Sequence, residues 1–143
     1  KLTLDLESTP GVTLCRGGGH MKISEVSEQS GLSVDTLRYY EKIGLLPPIQ
    51  RTESGIRAYG EHDVRRIDFV KCMRTAGLPI EVLIDYFALV EQGDETIAAR
   101  KMILQEQRAH LVARMAEMQE TLDLLSQKIQ GYEEGVLKAE QAL

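Results

Sequence analysis

A chain of 143 residues with a formal net charge of −5 is long enough for one compact domain, or for a small head with an appended helix. The negative balance argues against a protein that coats nucleic acid indiscriminately. No apolar run reaches the roughly 18 residues needed to cross a bilayer, and two cysteines, Cys15 and Cys72, are too few and too far apart for a disulfide scaffold, so the sequence reads as reduced and cytoplasmic.

Residues 1–20 have little periodicity, carry the Gly17-Gly18-Gly19 run and end in a His20-Met21 junction of the kind a cloning site leaves. They read as a foreign segment, Cys15 included, with the native protein beginning at Met21; the alternative is a natural N-terminal arm. From Met21 onward the sequence predicts helix after helix. Ile23–Ser30 is a short amphipathic helix with Ser24 as its expected cap, and Gly31-Leu32 turns the chain. Ser33 then caps a second helix, with Val34 and Leu37 facing inward and Thr36, Arg38 and Tyr39 outward. Gly44 ends it and Pro47-Pro48 forbids continuation. Helix, short turn and helix make the helix-turn-helix pattern.

Arg51, a turn at Glu53-Ser54-Gly55 and the extended piece Ile56–Tyr59 read as a small basic hairpin that grips phosphate beside a helix that enters a groove. Charge agrees with a nucleic-acid-binding head, since residues 33 to 74 carry eight bases against six acids, a local balance of +2 on an acidic chain. A third helix is predicted from Glu61 to about Ala76 with Val64, Ile67, Val70 and Met73 inward. A fourth opens at Pro79, with Leu83, Phe87 and Val90 inward. Gln92-Gly93-Asp94 breaks that helix and Thr96 can cap the last one.

The last helix carries two rows at alternating steps of four and three. One row is Ile97, Leu104, Leu111, Met118, Leu125 and Tyr132; the other is Lys101, Arg108, Met115, Leu122, Ile129 and Val136. That is the seam of a coiled coil, loosened at its start by Lys101 and Arg108. About 35 residues extend about 50 Å, more than a small head can cover, so the seam calls for a second copy of the chain; the alternative is one long amphipathic helix folded back on its own domain. The dimerisation candidates are Leu104, Leu111, Met115, Met118, Leu122, Leu125 and Ile129. The predicted organisation is a foreign segment at 1–20, a head at 21–93, a dimerisation helix at 94–131 and a short tail at 132–143. A coiled-coil adaptor that binds another protein is the competing reading. No paired carboxylates, nucleophile–base signature or phosphate-cradling glycine loop supports an enzyme.

These motifs resemble the MerR family of bacterial transcription regulators. The residues that carry the likeness are Met21–Val26, Thr36–Glu41, Gly44-Leu45-Leu46, Arg51, Gly55–Tyr59, Arg66-Ile67 and Arg74–Leu78. The resemblance implies an all-α fold with a small β wing, a winged helix-turn-helix head and an antiparallel coiled coil. It also implies a homodimer on an inverted repeat that bends and untwists an overlong promoter spacer, so that RNA polymerase can start transcription. Carried over residue by residue, the DNA-binding set is Ser33, Thr36, Arg38, Tyr39, Arg51, Arg57, Tyr59 and Arg74. Two positions depart from the family pattern. Asp35 stands where a base is common and must face a base edge, water or a neighbouring cation, and Ile56 stands where Tyr is usual. Relatives that sense metals use cysteines near the start of the dimer helix and in a loop after it, absent here, and His20, His62 and His110 are isolated, so no metal or other cofactor is expected. Nor does the sequence leave room for a drug-binding domain after the helix. Lys71-Cys72-Met73-Arg74 resembles the single-cysteine branch that answers reactive aldehydes and other electrophiles, which implies a sensing role for Cys72. On a helical wheel Cys72 falls at the edge of the buried arc, beside Asp68, where the plain reading is a small core filler. An adduct there would have to shift a close-packed helix.

Overall fold

The computed structural model describes residues 19–143. The segment read as foreign lies outside the described residues except for Gly19 and His20, and so does Cys15. Five helices follow in order: α1 (Ile23–Ser30), α2 (Val34–Lys42), α3 (Glu61–Thr75), α4 (Ile80–Gln92) and α5 (Ile97–Gln141), with a 3-10 turn at Asp94–Thr96. Two compact units result, divided between Glu91 and Gln92.

In the first unit, α1 packs on α2 and α3. Its cap is not Ser24, which lies inside the first turn. Lys22 holds the cap position, and its backbone N–H donates to the Glu25 carboxylate at 2.6 Å. Glutamate at that spacing reaches back to a free N–H, which serves the helix start without a hydroxyl. Gly31, at φ 72°, ends α1 in the left-handed region that costs a side chain most and glycine least. Val26 of α1, Leu37 and Tyr40 of α2, Leu45, Leu46 and Ile49 after it, and Ile67 and Val70 of α3 form the core with Leu83, Tyr86 and Phe87 of α4. Val34, Val64, Met73 and Val90 are only half-buried. Each fully enclosed aliphatic side chain contributes about 1.5–3 kcal/mol of transfer free energy, which these short helices need because none is long enough to be stable alone.

The aromatic residues converge. The rings of Phe69 and Tyr86 stack at 5.6 Å, and Phe87 meets each edge-on, at 5.8 and 5.5 Å. Over Phe87, at 3.9 Å, lies the guanidinium of Arg66. Its Nε donates to the Leu45 carbonyl at 2.9 Å and an Nη to Glu91 at 3.3 Å, so one buried cation ties the end of the α2 turn to α3 and α4. Burial pulls this guanidinium below its ordinary range, opposed by the Glu91 carboxylate.

Between α2 and α3 the chain forms no multi-residue strand among the described residues. Extended pairing is confined to two antiparallel bridges, Arg51 with Arg57 and Met21 with Tyr59. The first closes the turn predicted at Glu53-Ser54-Gly55, where Gly55 sits at φ 81° and its N–H donates to the Thr52 carbonyl. The second is a reciprocal pair, Met21 N–H to Tyr59 O at 2.8 Å and Tyr59 N–H to Met21 O at 2.9 Å.

The second unit is dominated by α5, 45 residues long. Thr96 stands at its start, but its hydroxyl donates to the Gly93 carbonyl at 2.7 Å instead of accepting from the helix. The helix continues through Gln141, so the expected tail at 132–143 is helical nearly to its end. No residue of α5 is buried. No helix among the described residues is long and apolar enough to cross a membrane.

Candidate nucleic-acid interface

The sequence of α2 makes an outward face from its first turn. Ser33 Oγ accepts the Thr36 N–H at 3.1 Å, the expected cap, which fixes where the helix begins. With that start, Leu37 and Tyr40 point inward, and Arg38 and Tyr39 are both exposed. Thr36 is half-buried, its hydroxyl 2.8 Å from that of Ser33, so capping occupies two members of the expected contact set, Ser33 and Thr36. Asp35 faces a neighbouring cation: its carboxylate lies 3.5 Å from an Nη of Arg38, with both side chains in solvent. Exposed pairs of that kind contribute about 0–1 kcal/mol, so Arg38 can leave Asp35 for a stronger acceptor at little cost.

The loop from Ile49 to Tyr59 lies against this helix. Arg51 is exposed, but one Nη donates to the Gly55 carbonyl at 2.7 Å, so it braces the turn as well as charging it. Arg57 is half-buried and its Nε donates to Glu41 Oε2 of α2 at 2.6 Å. Tyr59 departs from expectation. The family likeness implies a phosphate contact for it, but it is fully enclosed and its hydroxyl has no hydrogen-bond partner. Its backbone pairs with Met21, and both Ala58 and Tyr59 are buried. Burial pushes the Tyr59 hydroxyl up, the Glu41 charge adds to the rise, and Arg57 opposes it.

On α3, Arg74 is exposed, and one Nη donates to the Leu78 carbonyl at 2.7 Å in the turn that leads to α4. Cys72 is exposed as well. It is therefore not a core filler, although Asp68 and Phe69, one turn back, are half-buried. The wheel explains the error: at about 100° per residue, Cys72 lies about 140° from Ile67 and about 160° from Val70, the two buried apolar residues of α3. Its neighbour Asp68 is half-buried, and burial pushes that carboxyl up, with Lys71 opposing. Lys71 in turn donates to the Ser30 carbonyl at the end of α1. Sequence reasoning missed Glu41, Lys71 and the packing of Arg66, whose partners lie 16, 41 and 21 residues away. No helical or strand period links such distances.

Along α5, Met115, Met118, Leu122, Leu125 and Ile129 are exposed, whereas Leu104 and Leu111 are half-buried. Because the helix is unbroken, their spacing makes one continuous apolar stripe. No group of three His, Cys, Asp or Glu residues among the described residues could hold a metal ion.

Comparison with known proteins agrees with this geometry. The family described as MerR HTH family regulatory protein matches residues 21–89, and the one described as MerR, DNA binding matches residues 64–128. The HTH-type transcriptional regulator AdhR of Bacillus subtilis is 53% identical over 92 residues, covering 64% of this chain and 66% of that protein. The match thus spans just under two thirds of that relative's length. A MerR family transcriptional regulator from Listeria monocytogenes, solved by crystallography, is 50% identical with a TM-score of 0.80, over 86% of this chain and 93% of that one. The crystal structure of HiNmlR, a MerR family regulator lacking the sensor domain, bound to promoter DNA, is 29% identical with a TM-score of 0.72, over 80% and 91% of the two chains.

Proposed function

We propose that this chain, which belongs to the MerR family of DNA-binding transcriptional regulators, acts as a homodimer joined by an antiparallel coiled coil of two α5 helices. The observation that carries the reading is the contrast between a head that encloses its own apolar residues and a 45-residue helix that buries none. Two heads held at fixed spacing address two half-sites of an inverted repeat. In each head α2 enters the major groove with Arg38 and Tyr39. The turn between Arg51 and Arg57 serves as a wing on the phosphates, and Arg74 makes a further backbone contact. Ser33 and Thr36 shape the helix start that meets the DNA. Tyr59 supports the wing from inside.

Phosphate contacts set position, and few side chains read bases. A dimer gripping the outer ends of its site can offset the energy of bending and untwisting an overlong spacer, which brings the promoter elements into register for RNA polymerase. For the inducing signal, the exposed thiol of Cys72 supports covalent modification by a reactive aldehyde or another electrophile, since the thiolate must be reachable to react.

The test is binding of the full chain to an inverted repeat selected from a random duplex pool, across a series of salt concentrations. Arg57→Ala should weaken binding to all sequences and shallow the salt slope by about one phosphate contact. Arg38→Ala should lower discrimination between sites instead. An Arg57→Ala protein with an unchanged salt slope would refute the wing assignment. In cells, Cys72→Ser with normal protein level should abolish aldehyde induction while DNA binding persists; full induction would remove Cys72 from the switch.

A further inference from the structure

The Arg57 guanidinium can offer a phosphate two parallel N–H donors only if its plane is held still. Its stem springs from the loop, which no multi-residue strand stiffens. What holds it is Glu41, one turn after Arg38 on the same helix. Oε2 of Glu41 accepts from Arg57 Nε at 2.6 Å, and Oε1 accepts the Ile49 backbone N–H at 3.4 Å. A single carboxylate therefore fastens both ends of the loop's basic half to α2. The pair is shielded, with side-chain exposures of 23% for Arg57 and 16% for Glu41, where a charged hydrogen bond is stronger than in open solvent. The bond uses Nε and leaves the two Nη groups outside it, the edge that matches a phosphate fork.

We infer that Glu41 is the positioning residue for the DNA grip: it orients the Arg57 guanidinium and fixes the loop to α2, so that helix and wing meet the duplex as one rigid piece. This rests on the reading of Arg57 as a phosphate contact given above. It runs against simple charge counting, in which an acid on the DNA-facing side only repels the backbone. The local charge order is instead cation aimed by anion, with the anion itself turned inward.

The experiment is anisotropy titration of a random-sequence DNA duplex with the full chain, at several salt concentrations, for Glu41→Gln, Arg57→Ala, Arg57→Lys and the Glu41→Gln/Arg57→Ala double variant, each checked by thermal melting. Glu41→Gln should weaken binding about threefold to tenfold although it removes a negative charge, and Arg57→Ala should cost distinctly less when Glu41→Gln is already present than in the native chain. Arg57→Lys, which keeps the charge but has no planar fork, should lose most of what Arg57→Ala loses. Unchanged or tighter binding by Glu41→Gln, or an equal cost of Arg57→Ala in both backgrounds, overturns the proposal while the phosphate contact stands. If Arg57→Ala itself has no effect, the phosphate contact falls, and this proposal with it. Should Glu41→Gln fail to fold, Arg57→Lys decides, and native-like binding by that variant overturns the inference.

Discussion

Leu37 on α2 and Leu122 on α5 are the same side chain in the same kind of helix, yet Leu37 is fully enclosed and Leu122 is 56% exposed. The short helices of the head have neighbours within their own unit, and five of their aliphatic residues (Val26, Leu37, Ile67, Val70 and Leu83) are almost wholly out of water. The long helix keeps a stripe of Met, Leu and Ile in solvent over several turns. Large exposed apolar stripes mark an interaction surface. In the proposed dimer, stability in the first region belongs to the single chain, and in the second it depends on concentration.

The largest effect should come from removing the second region altogether. A chain ending before Thr96 is expected to be a folded monomer by light scattering, with operator binding lowered about 10²- to 10⁴-fold through loss of bivalency. A truncated protein that remained dimeric would erase the contrast. Next in size is the same substitution made in both regions. Leu37→Ala should cost about 2–5 kcal/mol and lower the melting temperature equally at every protein concentration. Leu122→Ala should instead lower it by an amount that shrinks as the concentration rises, because it acts on association. Identical behaviour of the two variants would show that α5 is not held by a second chain.

Smaller still is Ser33→Ala, expected to destabilise the head by about 1 kcal/mol through loss of the cap on Thr36 N–H, read by denaturant melting. Smallest is a pH effect from Asp68. Its carboxyl is raised by burial, so the folded state binds a proton that the unfolded state gives up, and this group's contribution to stability grows as pH falls through its raised value toward the ordinary aspartate range. Below that window the contribution is constant; above it, the ionised group carries a desolvation cost. Asp68→Asn should therefore stabilise the head modestly at neutral pH and flatten that part of the profile.

The helices are legible in the sequence because their signals are local. Ser33 caps α2, Gly44 and Gly55 take positive φ where turns are expected, and Pro79 precedes α4. The stripe on α5 can be read because its period repeats over many turns. What stays hidden depends on groups brought together from afar. Glu41 stands out in the sequence only as part of a family motif, and its hold on Arg57 spans 16 residues. Tyr59 enters the contact set through the family likeness, and a piece of four residues, Ile56–Tyr59, carries too little alternation to say which face is inside. Ser24 and Thr96 are the residue types that cap helices, but Lys22 with Glu25 serves the first helix start, and at the last the Thr96 hydroxyl turns back to Gly93.

Arg66 offers a way to watch the head from a single proton. Its Nε–H is bonded to the Leu45 carbonyl and its guanidinium lies over the face of Phe87, in a side chain with little solvent contact. Such a proton exchanges with water only when the packing around it opens, and the aromatic ring beneath should move its resonance away from the crowded arginine region of a nitrogen-edited NMR spectrum. One resolved peak would then time the opening of α2, α3 and α4 around it, free of any signal from α5.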